Sequence, residues 1–229
     1  MKKTMTRSIE KIVEDQVAQW QKLRKLKKEE APAGITLVSV SREYGSNGAM
    51  LAERIAAELG FTLFHQEVIH EMAASAKTSK RIVETLDEKG LNLLEESIAY
   101  LVNERHLWPD QYLRHLMRVI GTIGGHERAV IVGRCANFIL PPEKTLRVRV
   151  IAPLPIRIQT IAKRLGVSEA DARKQVLKTD SDRRAFSRKY FYADLTDPFH
   201  YDLLINTGRT SIDTAVAIVR AAVREWKQA

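Results

Sequence analysis

The stretch Ile35–Ala52, ITLVSVSREYGSNGAMLA, decides the fold. Its first six residues are apolar or β-branched apart from Ser39, and they read as a buried strand. Gly45 and Gly48 mark a tight turn, and the run from Ala49 onward reads as a helix. Strand, glycine turn and helix in that order make a natural anion cradle. Glycine lets the backbone approach a ligand, and a helix N-terminus offers unpaired N–H groups and a positive dipole end. The Gly-Lys-Ser/Thr ending that completes many phosphate-binding loops is missing, and Gly48, Ala49 and Met50 stand in its place. Whether the chain binds a nucleotide and whether it can move a phosphate are therefore separate questions.

Strands and helices alternate outward from this point. Phe61–Phe64, Ala129–Val132, Leu146–Ile151 and Tyr201–Ile205 read as further strands. Ala129–Val132 is continuously apolar, as expected for a central parallel strand covered on both faces, and Leu146–Ile151 carries arginines at alternate positions. Helices are expected over 51–59, 67–76, 111–123, 156–165, 168–178 and 212–226, with 80–104 mostly helical and broken near Gly90. Gly124-Gly125 is expected to stop the stretch at 111–123, and Ser168 to open the helix at 168. Four or five strands separated by helices predict an α/β fold, a parallel sheet sandwiched between helices.

Residues 1–33 stand before this body as an N-terminal helix and linker, and 34–229 form the main domain. Ile9, Ile12, Val13, Val17, Trp20 and Leu23 make an apolar stripe on the helix at spacings of three and four, with a basic cluster at Lys22–Lys28 and a linker at 29–34. The stripe needs a cover, which either a second copy (a homodimer) or the chain's own body would supply.

The bulk composition bounds the function. The net charge is +9, hydrophobic residues are 45% and aromatics 7%. The basic residues are not interleaved with aromatics as in a base-stacking platform, which ranks nucleic acid below small phosphates as a partner. No apolar run approaches a membrane span, so no membrane partner is expected, and residues 1–16 lack the apolar core of a secretory signal. A single cysteine, Cys135, excludes an intrachain disulfide and fits a reducing, cytoplasmic setting. The six histidines show no metal spacing, and no metal-ligating set is predicted.

Candidate site residues follow from position. Gly45, Ser46, Asn47 and Gly48 form the loop whose amides would wrap phosphate, with Ser46 offering a hydroxyl or merely shaping the turn. Ser41 and Arg42 open it, and Arg42 would supply the charge of the absent lysine or sit in a surface salt bridge. Arg134 follows a buried strand and Gly133, at the carboxyl end where open α/β sheets bind ligands. Cys135 reads as a packing residue. Arg157 and Arg164, seven apart, share a helix face. Asp180, Arg183, Arg184 and Arg188 are the densest charged run, with Lys178 nearby. Asn206-Thr207 would meet an adenine edge or simply turn the chain.

Taken together and in order, SREYGSNG, VIVGRCANFILP, APLPIRI, DSDRRAFSRKYF and YDLLINT resemble the cytidylate kinase-like family of P-loop nucleoside monophosphate kinases. The resemblance runs from about residue 35 to the C-terminus. It implies a five-stranded parallel sheet with a mobile lid, here about 166–195. It also implies ATP-dependent phosphoryl transfer with magnesium, most readily to CMP or dCMP. Arg42, Arg183 and Arg188 would be the catalytic arginines. Arg134, Arg157, Arg164, Asp180 and Arg183 would bind substrate. The family commonly reads Gly-Ser-Gly-Gly-Arg-Glu where this chain has Gly45-Ser46-Asn47-Gly48-Ala49-Met50, and His65 and Cys135 replace family aspartates. These departures motivate an alternative, a nucleotide-binding regulator that no longer transfers phosphate.

Overall fold

Leu37, Val38 and Val40 are buried completely or nearly so, because their strand β1 (Leu37–Arg42) lies in the middle of a sheet. In this computed structural model, which describes residues 9–25 and 34–226, β1 is flanked by β3 (Ala129–Val132) and β4 (Thr145–Ile151). The sheet has five strands in the order β2-β3-β1-β4-β5, with β2 at Thr62–Phe64 and β5 at Leu203–Asn206, and every pairing is parallel. Parallel pairing demands crossover helices and coverage of both faces. The strands comply by alternating: Leu37 and Ile131 join one core, while Val38, Val40, Val130 and Val132 join the other.

Helices α2 (Gly48–Leu59) and α10 (Ile212–Glu225) cover the second core. The first lies under α3 (Gln66–Ala74), α6 (Gln111–His126) and the short α7 (Ala136–Ile139), with α4 (Ala76–Val83) and α5 (Glu88–Glu104) outside them. Two further helices, α8 (Leu154–Leu165) and α9 (Glu169–Phe191), form a hairpin over the carboxyl ends of the strands, sharing a small core of Ile158, Ile161, Ala172 and Val176.

Three boundaries differ from the sequence expectation for identifiable reasons. Helix α6 runs through Gly124-Gly125 to His126, because Gly124 marks a close packing contact: a Cβ there would stand 2.9 Å from Leu140 Cδ2. The break in the 80–104 stretch falls before Asp87, which caps α5 by accepting from Gly90 N at 2.8 Å, so Gly90 lies inside the first turn. Helix α9 continues through the charged run to Phe191, since Ala172, Val176, Asp180, Ser187 and Phe191 are buried along it.

Helix α1 (Ile9–Lys25) finds its cover in the chain itself. Val13, Val17 and Trp20 are buried against the first core, so the chain itself covers this part of the stripe, while Ile12 stays exposed. The side chains of Ile9 and Leu23, most of the basic cluster and the linker lie outside the described residues. Trp20 stacks on His126 at 4.5 Å between centroids and on Phe64 at 5.8 Å. His126 Nε2 stands 2.8 Å from Thr85 Oγ1, whose own proton goes to Ile82 O, so the ring donates.

Burial pushes the His126 pKa down from 6.5 to about 4. The unfolded chain therefore binds a proton here that the folded chain refuses between those values, and stability is lost as pH falls through that window. The loss attributable to this ring reaches on the order of 3 kcal/mol by pH 4, at about 1.36 kcal/mol per unit. Urea unfolding at pH 7, 5.5 and 4.5 should show the decline, and His126→Gln should flatten it; an unchanged slope in that variant would refute the assignment.

Candidate functional site

The turn after β1 is built by close contacts that exclude side chains. Gly45 has φ 86°, and a Cβ there would lie 2.6 Å from the Arg157 carbonyl oxygen; one at Gly48 would lie 2.6 Å from Arg42 Cβ. Asn47 is left-handed, with φ 57°, and its side chain makes no cap to α2. The first amides of α2 thus have no side-chain acceptor, as an anion site requires. Ser46 is turned inward, its Oγ donating to Glu43 O (2.9 Å) and standing 3.3 Å from Val150 O. Thr207 Oγ1 braces the turn from β5 by donating to Ser46 O at 2.8 Å, and Asn206 Oδ1 accepts from Gly208 N. Through these bonds the two residues shape the chain locally.

The turn is fastened to the α8–α9 hairpin. Arg157 donates through Nε to Ala152 O (3.0 Å) and through Nη1 to Tyr44 O (3.2 Å) and to Asp180 Oδ2. Its Nε also lies 3.3 Å from Glu43 Oε2. Asp180 Oδ1 accepts from Tyr44 N at 2.8 Å. Arg164 and Arg183 lie over the Tyr44 ring at 5.3 and 5.6 Å. Arg157 and Asp180 are therefore committed to each other and to the loop. Both were expected to bind substrate; among the described residues they hold each other and the loop, and neither lines the cavity described next.

A cavity of about 350 Å³ opens beside the turn, between the carboxyl ends of β1 and β3 and the face of α9. Ser41, Arg42, Arg134 and Arg183 line it, joined by Ser39, Gln66, Gly133, Asn137, Thr179, Asp182 and Phe186. Arg42 Nη2 donates to Gln66 Oε1 at 2.7 Å, and its head fills the space left by Gly133, where a Cβ would stand 2.1 Å from Nη1. Arg183 Nη1 donates to Arg42 O at 2.8 Å. Arg149 Nη1 donates to Ser41 Oγ at 2.8 Å and its guanidinium lies 5.7 Å over the Tyr201 ring.

This corner is short of negative charge. Burial, and then the cations Arg183, Arg134 and Arg149, push the Arg42 pKa down to about 9, with only Glu67 opposing. Burial also lowers that of Arg183, against the pull of Asp180. Gly133, Arg134 and Cys135 all have positive φ, at 79°, 53° and 56°. Strain of that kind at two non-glycine residues costs roughly 1–3 kcal/mol each and clusters at ligand sites. Three buried polar atoms facing this region, Ser39 Oγ, Arg134 Nε and Asn137 Nδ2, have no partner among the described residues. Cys135 is buried, which pushes its thiol up to about 12 and keeps it neutral, as a packing residue should be.

Arg164, Lys178, Arg184 and Arg188 are exposed and do not line the cavity. The sequence reading missed Arg149, Gln66, Asn137, Asp182 and Phe186. A signal existed for Arg149, because arginine at alternate positions of a strand puts both on one face: Arg147 forks onto Asp202 (Nη2 to Oδ1 2.6 Å), and Arg149 faces Ser41. No protein cage for magnesium is formed: no three His, Cys, Asp or Glu side chains cluster among the described residues, and Ser46 Oγ is spent on carbonyls.

The parallel sheet with its strand–turn–helix at β1 defines the class, a kinase fold of the P-loop type. Within it the chain belongs to the cytidylate kinase-like family, which matches residues 37–209. It is 27% identical over 192 residues to the cytidylate kinase of Natronomonas pharaonis, covering 83% of this chain and 90% of that one. To the cytidylate kinase of Pyrococcus abyssi it is also 27% identical over 192 residues, covering 84% and 96%. An uncharacterized protein from Eubacterium ventriosum shares the fold, with a TM-score of 0.58 at 21% identity over 83% of this chain and 99% of that one.

If Asp180 braces the loop, Asp180→Ala will strand a buried guanidinium and an amide. The expected loss is about 3 kcal/mol or more in urea unfolding. Asp180→Asn, which keeps an acceptor for Tyr44 N, should lose less. A loss under about 1 kcal/mol for the alanine variant would contradict this role, since that is the worth of an exposed pair.

Proposed function

We propose that the protein transfers the γ-phosphoryl group of ATP to a nucleoside monophosphate, with CMP or dCMP as preferred acceptor. The observation that carries the reading is the excess of guanidinium at the cavity: Arg42, Arg134 and Arg183 line it, Arg149 stands close behind Ser41, and the carboxylates nearby are fewer than these cations. The acceptor's phosphate is the anion that such a corner binds, and guanidinium holds phosphate through paired N–H groups. The family membership and the named relatives point the same way.

The donor's phosphates would lie on the uncapped amides of residues 45–48 at the start of α2. In the transfer an acceptor phosphate oxygen forms a bond to the γ-phosphorus while the bond to the bridging oxygen of ADP breaks. Arg42 and Arg183 lie between the loop and the cavity, where they counter the charge on the moving group. Arg42 O accepts from Arg183 Nη1, which ties α9 to the end of β1. The Arg157–Asp180 pair holds the loop against α9 and keeps donor and acceptor sites at fixed separation.

A coupled assay with ATP, magnesium and each monophosphate tests the reading. Turnover is expected with CMP or dCMP, and Arg42→Ala or Arg134→Ala should lower kcat/KM by about a hundredfold or more. Absence of turnover with every monophosphate would overturn it. The inward-turned Ser46 and the missing lysine favour the second reading, a nucleotide binder without transfer; calorimetric binding without turnover is its signature.

A further inference from the structure

We infer that Asp182 selects the acceptor's ring, favouring one that carries an exocyclic amine over one that carries a carbonyl at the same place. This rests on the cavity being the acceptor site, as proposed above. The walls of that cavity mostly donate: its guanidiniums carry only N–H groups, and the unpartnered Arg134 Nε and Asn137 Nδ2 are donors too. A ligand's amine needs an acceptor, and nearly every carboxylate in reach is spent. Asp180 holds Arg157 and Tyr44 N; Glu43 holds Arg157 and Ala152 N; Glu67 accepts from Gln66 Nε2 at 2.8 Å. Cys135 stays a neutral thiol and adds no charge.

Asp182 is the exception. It lines the cavity, is exposed at its rim and makes no hydrogen bond or ion pair among the described residues. It also lies one helical turn before Phe186, so the two share a face of α9. A planar ring packed on Phe186 presents its edge about one turn away, where the carboxylate stands. An amine there gives the carboxylate a charge-assisted hydrogen bond. A carbonyl oxygen there points lone pairs at a negative charge, and discrimination by an unpaired polar group is large.

The experiment uses the full chain, wild type and Asp182→Asn, with CMP and UMP as probes, read both as kcat/KM and as calorimetric Kd. The wild type should favour CMP about tenfold or more. Asparagine, which can present either an acceptor or a donor, should bring the ratio near one, chiefly by weakening CMP. Asp182 is exposed, so thermal unfolding should be unchanged and separates loss of selectivity from loss of fold. Selective CMP binding without turnover, abolished by Asp182→Asn, would uphold this inference while the kinase reading fell. A CMP-to-UMP ratio unmoved by the substitution overturns it, as does a wild type that binds UMP equally or binds neither.

Discussion

The buried pair of Arg157 and Asp180 sets the geometry on which the rest of the site depends. Their side chains are only 9% and 11% exposed, and between them they hold Tyr44 by both its N–H and its carbonyl. A glycine-bearing turn has little rigidity of its own. Here it is clamped by charged groups that cannot easily leave, because separating the pair would leave the buried Asp180 carboxylate without its cation. The same contact ties the loop to α8 and α9. Whatever the hairpin does, the donor loop feels.

The arginines of this chain divide by their partners. Arg147 has Asp202 and Arg157 has Asp180 and Glu43, so both have carboxylate partners within the chain. Arg42, Arg134 and Arg183 meet mainly uncharged acceptors, aromatic rings or each other. Packing like charges in a half-buried corner is costly, and that cost is why burial and neighbours depress the Arg42 pKa. The corner becomes favourable once a multivalent anion arrives. A cavity that is electrostatically incomplete alone is a stronger sign of a phosphate ligand than a basic surface is, and it accounts for part of the +9 net charge without nucleic acid.

Much of the architecture was legible in the sequence because strand burial and helix spacing are local patterns. Ile35–Ala52 read correctly as strand, turn and helix, and Ala129–Val132 matches β3. The failures came where tertiary packing overrides local signals. Gly124 looked like a helix stop and is instead a contact with Leu140. Asp180 and Asp182 look equivalent on the page, yet helical geometry buries one against Arg157 and leaves the other at the cavity rim. Gln66 and Asn137 carried no recognisable pattern, since their positions at the site depend on the β2–α3 and β3–α7 junctions coming together in space.

The absence of the loop lysine can be weighed against this arrangement. An ammonium is a compact, strongly hydrated charge on a flexible stem, whereas guanidinium is a planar fork that keeps its charge when partly buried. Here Arg42 leaves β1 just before the loop, its stem packs against Gly48 and its head sits at Gly133, two places where any larger residue would collide with it. The glycines therefore leave a fixed path for one arginine, from the loop after β1 to the cavity. A lysine on α2 would reach the donor from within the loop; Arg42 reaches across the gap between the sites. On the transfer reading proposed above, its charge would serve the group in flight more than the bound donor, and a chain built this way would give up donor affinity before stabilisation of the transfer.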